Sequence, residues 1–462
     1  MNADVSQGGL SQRSPHLAAF LSFLWPGLGQ WYVGRHRSAL VFAVPVALAF
    51  GSIAIQASRG IPQLALELFT PSLALTALVL VALLGAWRLI AIVDAAGATG
   101  GGRAFRVPGV GIPVAVLIAI TIVVHGILGY DAWTFYQAGT RMFVGVPDPD
   151  IGGAPFPGTS ARPGPILAAA PFATPPTLDS RINVLLTGID SGGQRRQRLN
   201  DTLIVVSIDP LTRQVAMISF PRDLSQLPLW DGRTYPDKIN SLMTYAQGHL
   251  TEFPDGGLPT LMKEIGFVLG VPIHYYAALD LGGFVKMVDL VGGVDVDNQR
   301  TIDDPGYGGW TNGHPIGFYL PAGRHHLDGQ SALAYVRSRK GAGDNDFTRS
   351  RRQQQLLVAL GKKLADPAML PHLSDLVRAA GDTIRTNFPP DRLGDLLDLG
   401  TTVDDAAIQR FVLGPPYATY PTQVGATYEL IPDLGRISKL SIQLFGADSA
   451  YVAAGMGSSP AP

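Results

Sequence analysis

Arginines and acids crowd the stretch SRKGAGDNDFTRSRRQQQ (residues 338–355), which has the composition of an anion-binding site. Arg349, Arg352 and Gln353 follow the i, i+3, i+4 spacing that places side chains on one helix face. A helix N-terminus attracts anions and disfavours cations. Arginines clustered there therefore indicate a bound anion that offsets their repulsion, and guanidinium groups fit phosphate and pyrophosphate well.

Further charged residues adjoin this cluster on its N-terminal side. Arg337 and Arg339 precede it, and Asp346 lies three residues before Arg349 in the chain. The same residues could instead form a solvated basic face with Asp344 and Asp346 as counter-charges, but the guanidinium cluster favours the anion site.

Two carboxylates flank the connection between the first two predicted strands of the soluble part. Asp190 ends the first strand, Asp201 begins the second, and the segment between them holds Arg198. Carboxylates at one sheet edge suit a hard cation such as Mg²⁺, which also takes substrate phosphate oxygens. Ordinary turn chemistry explains the two aspartates equally well.

Arg222 follows the third predicted strand, in the sequence Pro221-Arg222-Asp223. From a strand end it can point into the same crevice and bind phosphate through two hydrogen bonds. Taken alone, an arginine at such a position more often forms a surface salt bridge.

The elements that must position these residues alternate between strands and helices from residue 181 onward. Apolar runs predict strands at 181–190, 201–210, 214–220, 273–279 and 291–298, the second and third joined as a hairpin at Asp209-Pro210. Helical spacing predicts helices at 258–269, 284–290, 331–339, 350–364, 373–397 and 434–445. His325-His326 is expected in a turn before Asp328, which caps the next helix. The fold class is α/β, with layers around a mixed sheet.

The front third of the chain is apolar. Residues 38–57, 71–93 and 107–129 are each long enough to cross a hydrocarbon core of about 30 Å. Residues 16–33 are interrupted by Pro26, Gly27 and Gly29, and could span as a broken helix, lie in the interface or form a hairpin.

The domain organisation follows from these spans. Residues 1–15 form a cytoplasmic N-terminal segment and 16–130 the transmembrane region. A linker rich in Pro, Gly and Ala (131–177) leads to the soluble domain (178–447) and a loose tail (448–462). Arginines at 35, 37, 103 and 106 place the loops that carry them in the cytoplasm, so the C-terminal domain lies outside the cell membrane.

Composition excludes some classes of function. The chain has 462 residues with 35 Lys+Arg against 36 Asp+Glu, which gives no support for nucleic-acid binding. It has no cysteine, which excludes disulfides, thiolate zinc sites and a cysteine nucleophile.

Several motifs in order resemble those of LytR-CpsA-Psr (LCP) proteins. They are NVLLTGIDS, DTLIVVSIDP, ISFPRD, KIN, LPAGRHHLDGQSALAYVRSRK and DFTRSRRQQQLL, covering roughly residues 181–364. The resemblance implies a three-layer α/β/α sandwich with an apolar tunnel for a prenyl chain. It also implies transfer of a phosphoglycan from a polyprenyl-pyrophosphate lipid to peptidoglycan, which forms a phosphodiester.

The same resemblance implies roles for individual residues. Asp190 and Asp201 would hold Mg²⁺ on the pyrophosphate, and Asp346 would orient the arginines or the acceptor. The residues expected to bind the phosphates and the charge developing in transfer are Arg198, Arg222, Arg337, Arg339, Arg349, Arg352 and Gln353. Among these, Arg222, Arg337, Arg349 and Asp346 are the predicted catalytic residues.

The sequence also departs from the family. LCP proteins usually have Arg-Ser/Thr-Asp-Thr before the second strand, whereas this chain has Leu199-Asn200-Asp201-Thr202, so the arginine is shifted to Arg198. Two other functions remain open: a polyprenyl-pyrophosphate phosphatase with water as the acceptor, and a non-enzymatic lipid-binding protein of wall assembly.

Overall fold

A computed structural model describes residues 13–58, 60–98, 111–143, 180–189, 200–308, 310–311, 314–315, 317–394, 396, 407–421 and 429–454. The chain divides into two compact units, Met1–Gly139 and Thr140–Pro462.

Long apolar helices dominate the first unit. Three of them, α3, α5 and α6, have the length and composition to cross a membrane, and they contain or overlap the three predicted spans. The helices of this unit are α1 (Pro15–Leu24), α2 (Leu28–Tyr32), α3 (His36–Ala57), α4 (Ile61–Glu67), α5 (Pro71–Ala98) and α6 (Gly111–Met142), whose last residues fall in the second unit.

A break between α1 and α2 interrupts residues 16–33. Helix α1 has 10 residues and α2 has five. At a rise of 1.5 Å per residue, α1 is about 15 Å long, half the thickness of a hydrocarbon core. Each helix alone is shorter than the core, and whether residues 16–33 span as a broken helix, lie in the interface or form a hairpin stays open.

A buried polar contact holds α2 against α5. The Gln30 side chain is fully buried; its Nε2 donates to the carbonyl oxygen of Ala91 at 2.9 Å and to Asp94 Oδ2 at 3.0 Å. Ser22 of α1 donates to Gln30 Oε1 at 3.0 Å, and Arg35 pairs with the other oxygen of Asp94 at 2.9 Å. Because buried polar groups are costly without partners, this network fixes how α1, α2 and α5 pack.

A mixed six-stranded sheet forms the centre of the second unit, in the order β13-β6-β1-β2-β3-β14. The sheet is mixed because β1 pairs parallel with β6 and β3 pairs parallel with β14, while the other pairs are antiparallel. Its strands are β1 (Ile182–Ile189), β2 (Asn200–Ile208), β3 (Val215–Ser219), β6 (Tyr275–Asp280), β13 (Ile384–Thr386) and β14 (Ile408–Val412).

Short two-stranded pairs lie outside the central sheet. They are β4 (Leu227–Pro228) with β5 (Thr234–Tyr235), β7 (Val294–Asn298) with β12 (Gly323–Leu327), β8 (Ile302–Asp304) with β11 (Phe318–Leu320), β9 (Trp310–Thr311) with β10 (His314–Pro315), and β15 (Ala418–Thr419) with β16 (Ile431–Pro432).

Helices cover both faces of the central sheet. Alternate residues of β1 enter different apolar clusters: Leu185 packs with α7 and α8, whereas Val184 packs with Tyr275 and Phe388. The helices are α7 (Ile239–Gly248), α8 (Gly257–Leu269), α9 (Leu281–Leu290), α10 (Gly329–Arg337), α11 (Asp346–Leu364), α12 (Leu373–Thr383), α13 (Leu434–Phe445) and α14 (Ala450–Ala453). The predicted three-layer α/β/α sandwich with a mixed sheet is confirmed.

The predicted hairpin of the second and third strands is also confirmed. β2 and β3 pair antiparallel from Ile208 opposite Val215. Asp209 Oδ1 accepts hydrogen bonds from the backbone N–H groups of Leu211 and Thr212 at 3.0 and 3.1 Å, the turn chemistry that the Asp-Pro pair indicates.

Three predictions of local structure were wrong. The helix predicted at 373–397 ends at Thr383, and Ile384–Thr386 form edge strand β13, because tertiary pairing with β6 overrides helix spacing. His325 and His326 lie in β12 rather than in a turn. The helix predicted to begin at residue 350 begins one turn earlier, at Asp346.

A substitution in the first unit tests its close packing. A Cβ on Gly29 would collide with the carbonyl oxygen of Ala18 and the hydroxyl of Ser22, whereas one on Gly51 would meet nothing within 4 Å. We expect Gly29→Ala to destabilise the full-length chain in detergent by about 1–3 kcal/mol, the usual effect of overpacking. Thermal unfolding measures this. Gly51→Ala is the matched control, and an equal effect of the two substitutions would contradict the packing of α2.

Candidate active site

The N-terminus of α11 is fixed by a capping box. The Asn345 side chain accepts from the backbone N–H groups of Phe347 and Thr348 at 3.0 and 2.9 Å, and Thr348 Oγ1 accepts in return from the backbone N–H of Asn345. This arrangement satisfies orphan donors at the helix start. It places Asp346 in the first turn, where the helix dipole favours a carboxylate.

Three guanidinium groups from separate parts of the chain converge on one oxygen of Asp346. Arg349 NH1 lies 3.0 Å from Oδ1, Arg339 NH1 lies 3.6 Å away and Arg222 Nε lies 3.9 Å away. Arg349 comes from α11, Arg339 from the segment after α10, and Arg222 from the loop after β3. The structure thus brings together four of the residues predicted from sequence.

A second buried carboxylate, missed in the sequence, adjoins this group. Asp223 Oδ1 lies 2.5 Å from Lys238 Nζ, and its Oδ2 lies 3.9 Å from Arg222 Nε. Asp223 and Asp346 are also close enough to share a hydrogen bond. Among the described side chains of this cluster, four cations surround two carboxylates, so positive charge is in excess even when both carboxylates are ionised.

Burial and charge act differently on the two carboxyl groups. Burial raises the pKa of Asp346, and the neighbouring Asp223 raises it further, against the opposing charge of Arg349. Burial also tends to raise the pKa of Asp223, but hydrogen bonds to Asp346 and Lys238 outweigh it and leave that pKa below its ordinary value. A proton taken up by the pair therefore resides on Asp346.

Arg352 and Gln353 face the end of α10. Arg352 NH2 donates to the carbonyl oxygen of Ser338 at 2.6 Å and lies 3.3 Å from Asp344 Oδ2, and Gln353 Nε2 donates to the carbonyl oxygen of Val336 at 3.3 Å. Both side chains are more than 90% buried. They hold α10 against α11, and phosphate binding by either residue stays a prediction.

The segment after α10 has an additional anchor in Asp304, which the sequence did not reveal. Its Oδ2 accepts from Ser338 Oγ at 2.8 Å and from the backbone N–H groups of Arg339 and Lys340 at 3.1 Å each. Burial tends to raise the pKa of Asp304, but these hydrogen bonds outweigh it and lower the pKa. Asp304 thus fixes the backbone that carries Arg339, while Arg337, half-buried in the last turn of α10, lies near Tyr307.

Gln354 fastens α11 to the central sheet. Its fully buried side chain donates through Nε2 to Ser219 Oγ and to the carbonyl oxygen of Phe411, both at 2.8 Å. These bonds reach β3 and β14. Strand β3 leads directly into residues 220–226, the loop that carries Arg222 and is called the Arg222 loop. Helix α11 and that loop are therefore held in one frame.

Of the two predicted metal ligands, Asp201 lies in β2. Asp190 and Arg198 fall outside the described residues, and of Asp201 the structure describes the backbone. The register passes from Gly188 opposite Thr202 to Ile189 opposite Asn200, so Asp201 is the extra residue of a β-bulge. Bulges re-aim side chains and are common beside active sites. Among the described side chains, no cluster of three or more His, Asp or Glu could hold a metal ion.

An α/β/α sandwich with arginines clustered around Asp346, on a chain that also carries helices long and apolar enough to span a membrane, defines a membrane protein with an α/β domain. The LytR_cpsA_psr family model matches residues 169–415, and the chain belongs to this family.

Curated relatives carry a specific name. The chain is 32% identical over 215 residues to the polyisoprenyl-teichoic acid–peptidoglycan teichoic acid transferase TagU of Bacillus mycoides (strain KBAB4), and 29% identical to that of Halalkalibacterium halodurans. Each match covers 46% of this chain and 63% of the relative. The match therefore spans less than two thirds of these relatives.

The crystal structure of B. subtilis TagV is similar to this chain at 26% sequence identity and a TM-score of 0.46. The alignment covers 57% of this chain and 97% of that one.

The raised pKa of Asp346 predicts a pH dependence of anion binding. As pH falls through this pKa, Asp346 loses its negative charge beside the site, so affinity for a dianion should rise. We expect sulfate, whose charge is constant between about pH 4 and pH 8, to bind the full-length protein more tightly at the acid end of that range. Calorimetric titration measures this.

The controls for this measurement are two carboxamide variants. Asp346→Asn should bind sulfate with little pH dependence, whereas exposed Asp375→Asn should behave as the wild type. Weaker binding at acid pH, or an unchanged dependence in Asp346→Asn, would show that another group governs the site.

Proposed function

We propose that this protein transfers a phosphoglycan from a polyprenyl-pyrophosphate lipid carrier to peptidoglycan. In this reaction a hydroxyl of the acceptor attacks the phosphorus next to the glycan. The bond between the two phosphates breaks, polyprenyl phosphate leaves with the bonding electrons, and the hydroxyl proton is lost. The product is a phosphodiester that links the glycan to the wall.

The excess of positive charge around Asp346 supports this proposal most directly. Four cations converge on two buried carboxylates, which is unfavourable unless an anion of comparable charge binds there. Pyrophosphate has that charge, and bidentate arginine contacts match its geometry. Membership of the family and the names of the curated relatives point to the same donor class.

The chemistry requires no protein nucleophile. Phosphoryl transfer is catalysed mainly by positioning and by stabilising charge on the phosphate oxygens. In our proposal Arg222, Arg339 and Arg349 hold the pyrophosphate, with Arg337 beside them. Asp346 keeps these guanidinium groups oriented while the donor is absent, since all three contact its Oδ1.

The proposal also assigns roles to Arg352, Gln353 and Arg198. Arg352 and Gln353 keep α10 against α11 and complete the wall of the site. Arg198, on the segment between β1 and β2, is proposed to reach the pyrophosphate from the hairpin end.

We propose Asp190 and Asp201 as ligands of Mg²⁺. Ile189 precedes Asp190 in the chain and pairs with Asn200, which precedes Asp201, and this pairing supports the proposal. Carboxylate oxygens are the protein ligands that Mg²⁺ takes, usually one or two beside substrate phosphates. A bound Mg²⁺ would neutralise charge on the phosphate oxygens.

The membrane helices fit a lipid-linked donor. The short loops carry their positive charge at two places. One is the start of α3, with Arg35 and Arg37, and the other is the segment before α6, with Arg103 and Arg106. By the positive-inside rule these loops lie in the cytoplasm, and we propose that the residues after α6 lie outside it. The domain then meets both a carrier lipid and peptidoglycan on the outer face of the cell membrane.

Loss of a converging arginine tests the proposed transfer. The full-length protein in detergent is incubated with a polyprenyl-pyrophosphate-linked glycan, Mg²⁺ and a peptidoglycan fragment. We expect Arg222→Ala and Arg349→Ala to lower kcat/KM for transfer by about 100–1,000-fold, as for loss of one donor to transition-state charge. Arg436→Ala, which removes an exposed arginine of α13, is the matched control and should retain full activity.

The products of that reaction separate the alternatives. Phosphate release without transfer would replace the proposal with a phosphatase. Donor binding with neither product would replace it with a non-enzymatic lipid-binding protein.

Metal removal tests the assignment of Asp190 and Asp201. Chelation by EDTA should abolish transfer by the wild type, and added Mg²⁺ should restore it. We expect Asp201→Asn to require at least about tenfold more Mg²⁺ for half-maximal activity, since it removes a charged ligand. Asp375→Asn removes an exposed carboxylate and should leave the Mg²⁺ requirement unchanged. Activity that is indifferent to EDTA would refute the metal site.

A further inference from the structure

The segment that begins α7 holds the backbone of the Arg222 loop. The backbone N–H of Ile239 donates to the carbonyl oxygen of Leu224 at 2.7 Å, and that of Asn240 donates to the carbonyl oxygen of Arg222 at 3.4 Å. These are donors of the first helical turn, which have no partner within the helix. The loop after β3 therefore caps α7, and α7 in return fixes the loop on both sides of Asp223.

Lys238 completes this contact with its side chain. Its Nζ lies 2.5 Å from Asp223 Oδ1, and Asp223 lies in the chain between Arg222 and Leu224, whose carbonyl oxygens accept the two backbone bonds. Three consecutive residues, Lys-Ile-Asn, thus hold three consecutive loop residues, Arg-Asp-Leu. These contacts explain why two short motifs, Pro221-Arg222-Asp223 and Lys238-Ile239-Asn240, both belong to the site although they are distant in sequence from α11.

Helix capping does not explain a lysine at this position. Lys238 is the N-cap of α7, with φ −67° and ψ 140°, and its side chain makes no cap hydrogen bond. An N-cap side chain must accept a hydrogen bond, and an ammonium group can only donate. A cation is also disfavoured at a helix N-terminus. The ion pair with Asp223 offsets both penalties.

We propose that Lys238 is a positioning residue for the transfer reaction: it holds the Asp223 carboxylate, which fixes the guanidinium of Arg222 toward the pyrophosphate. This inference rests on the proposed function. The contacts run from Lys238 to Asp223 and from Asp223 to Arg222 Nε at 3.9 Å, and Arg222 continues to Asp346 at the same distance. Lys238 acts through Asp223 and need not touch the donor.

Burial favours this indirect role. The Asp223 side chain is 7% exposed and that of Arg222 16%. An aspartate so deeply buried needs a fixed counter-charge, and removing that partner leaves an uncompensated charge that moves to find another. Arg222 is the neighbouring cation. Without Lys238, Arg222 would be drawn toward Asp223 and away from the phosphates.

A double-mutant cycle tests the inference with the full-length protein in detergent. We expect Lys238→Met to lower kcat/KM for transfer by about 10–100-fold, the effect of a displaced positioning contact. In an Asp223→Asn background the same substitution should have no further effect, because the carboxylate through which it acts is gone. Lys238→Arg, which keeps the charge, should recover most of the activity.

Binding of inorganic pyrophosphate, measured by calorimetry on the same four proteins of the cycle, gives a readout independent of turnover. Lys238→Met should weaken binding about tenfold in the wild-type background and leave it unchanged beside Asp223→Asn. Equal weakening in both backgrounds would mean that Lys238 binds the anion directly, which overturns the inference. So would no weakening in the wild-type background.

Two outcomes separate this inference from the proposed function. The wild type could transfer no glycan while Lys238→Met weakens pyrophosphate binding only when Asp223 is intact. That result refutes the proposed function and retains the positioning role of Lys238. A wild type that transfers glycan without that dependence refutes the positioning role alone. Lys286→Met, an exposed lysine of α9, controls for loss of positive charge. If Lys238→Met fails to fold, Lys238→Gln, which also removes the charge, is measured with and without Asp223→Asn and decides the same question.

Discussion

A carboxylate buried among guanidinium groups, that of Asp346, is the contact on which the site depends. Desolvating an ion carries a penalty of several kcal/mol, so Asp346 is stable where it lies only because Arg349, Arg339 and Arg222 surround it. The same carboxylate reduces the repulsion among those arginines. Segments that are distant in sequence therefore meet at one charged contact.

The fold supplies the frame for this contact. Gln354 ties α11 to β3 and β14, Arg352 ties it to the end of α10, and Asp304 fixes the backbone beyond α10. Each of these side chains is buried and bonded mainly to backbone groups. Their arrangement presets the arginines, so the ligand need not order them on binding.

Local patterns were predictable and distant partners were not. Arg349 and Asp346 lie three residues apart on one helix, so their pairing could be predicted from spacing. The partners of Lys238 and Asp304 lie 15 and 34 residues away, and no local pattern identifies them. Similarly, the apolar strands β1 to β3 were evident, whereas Ile384–Thr386 form a strand only because the edge of β6 is there to pair with. Tertiary pairing decides such segments.

The surplus of positive charge has a thermodynamic consequence for the domain. Like charges held close together without an anion raise the free energy of the folded state, and a ligand that binds only the folded form lowers it. The empty and the loaded domain therefore differ in how firmly α10, α11 and the Arg222 loop hold together. In the proposed transfer, the carrier lipid would act as a conformational stabiliser as well as a substrate, and the departure of polyprenyl phosphate would return the domain to its looser form.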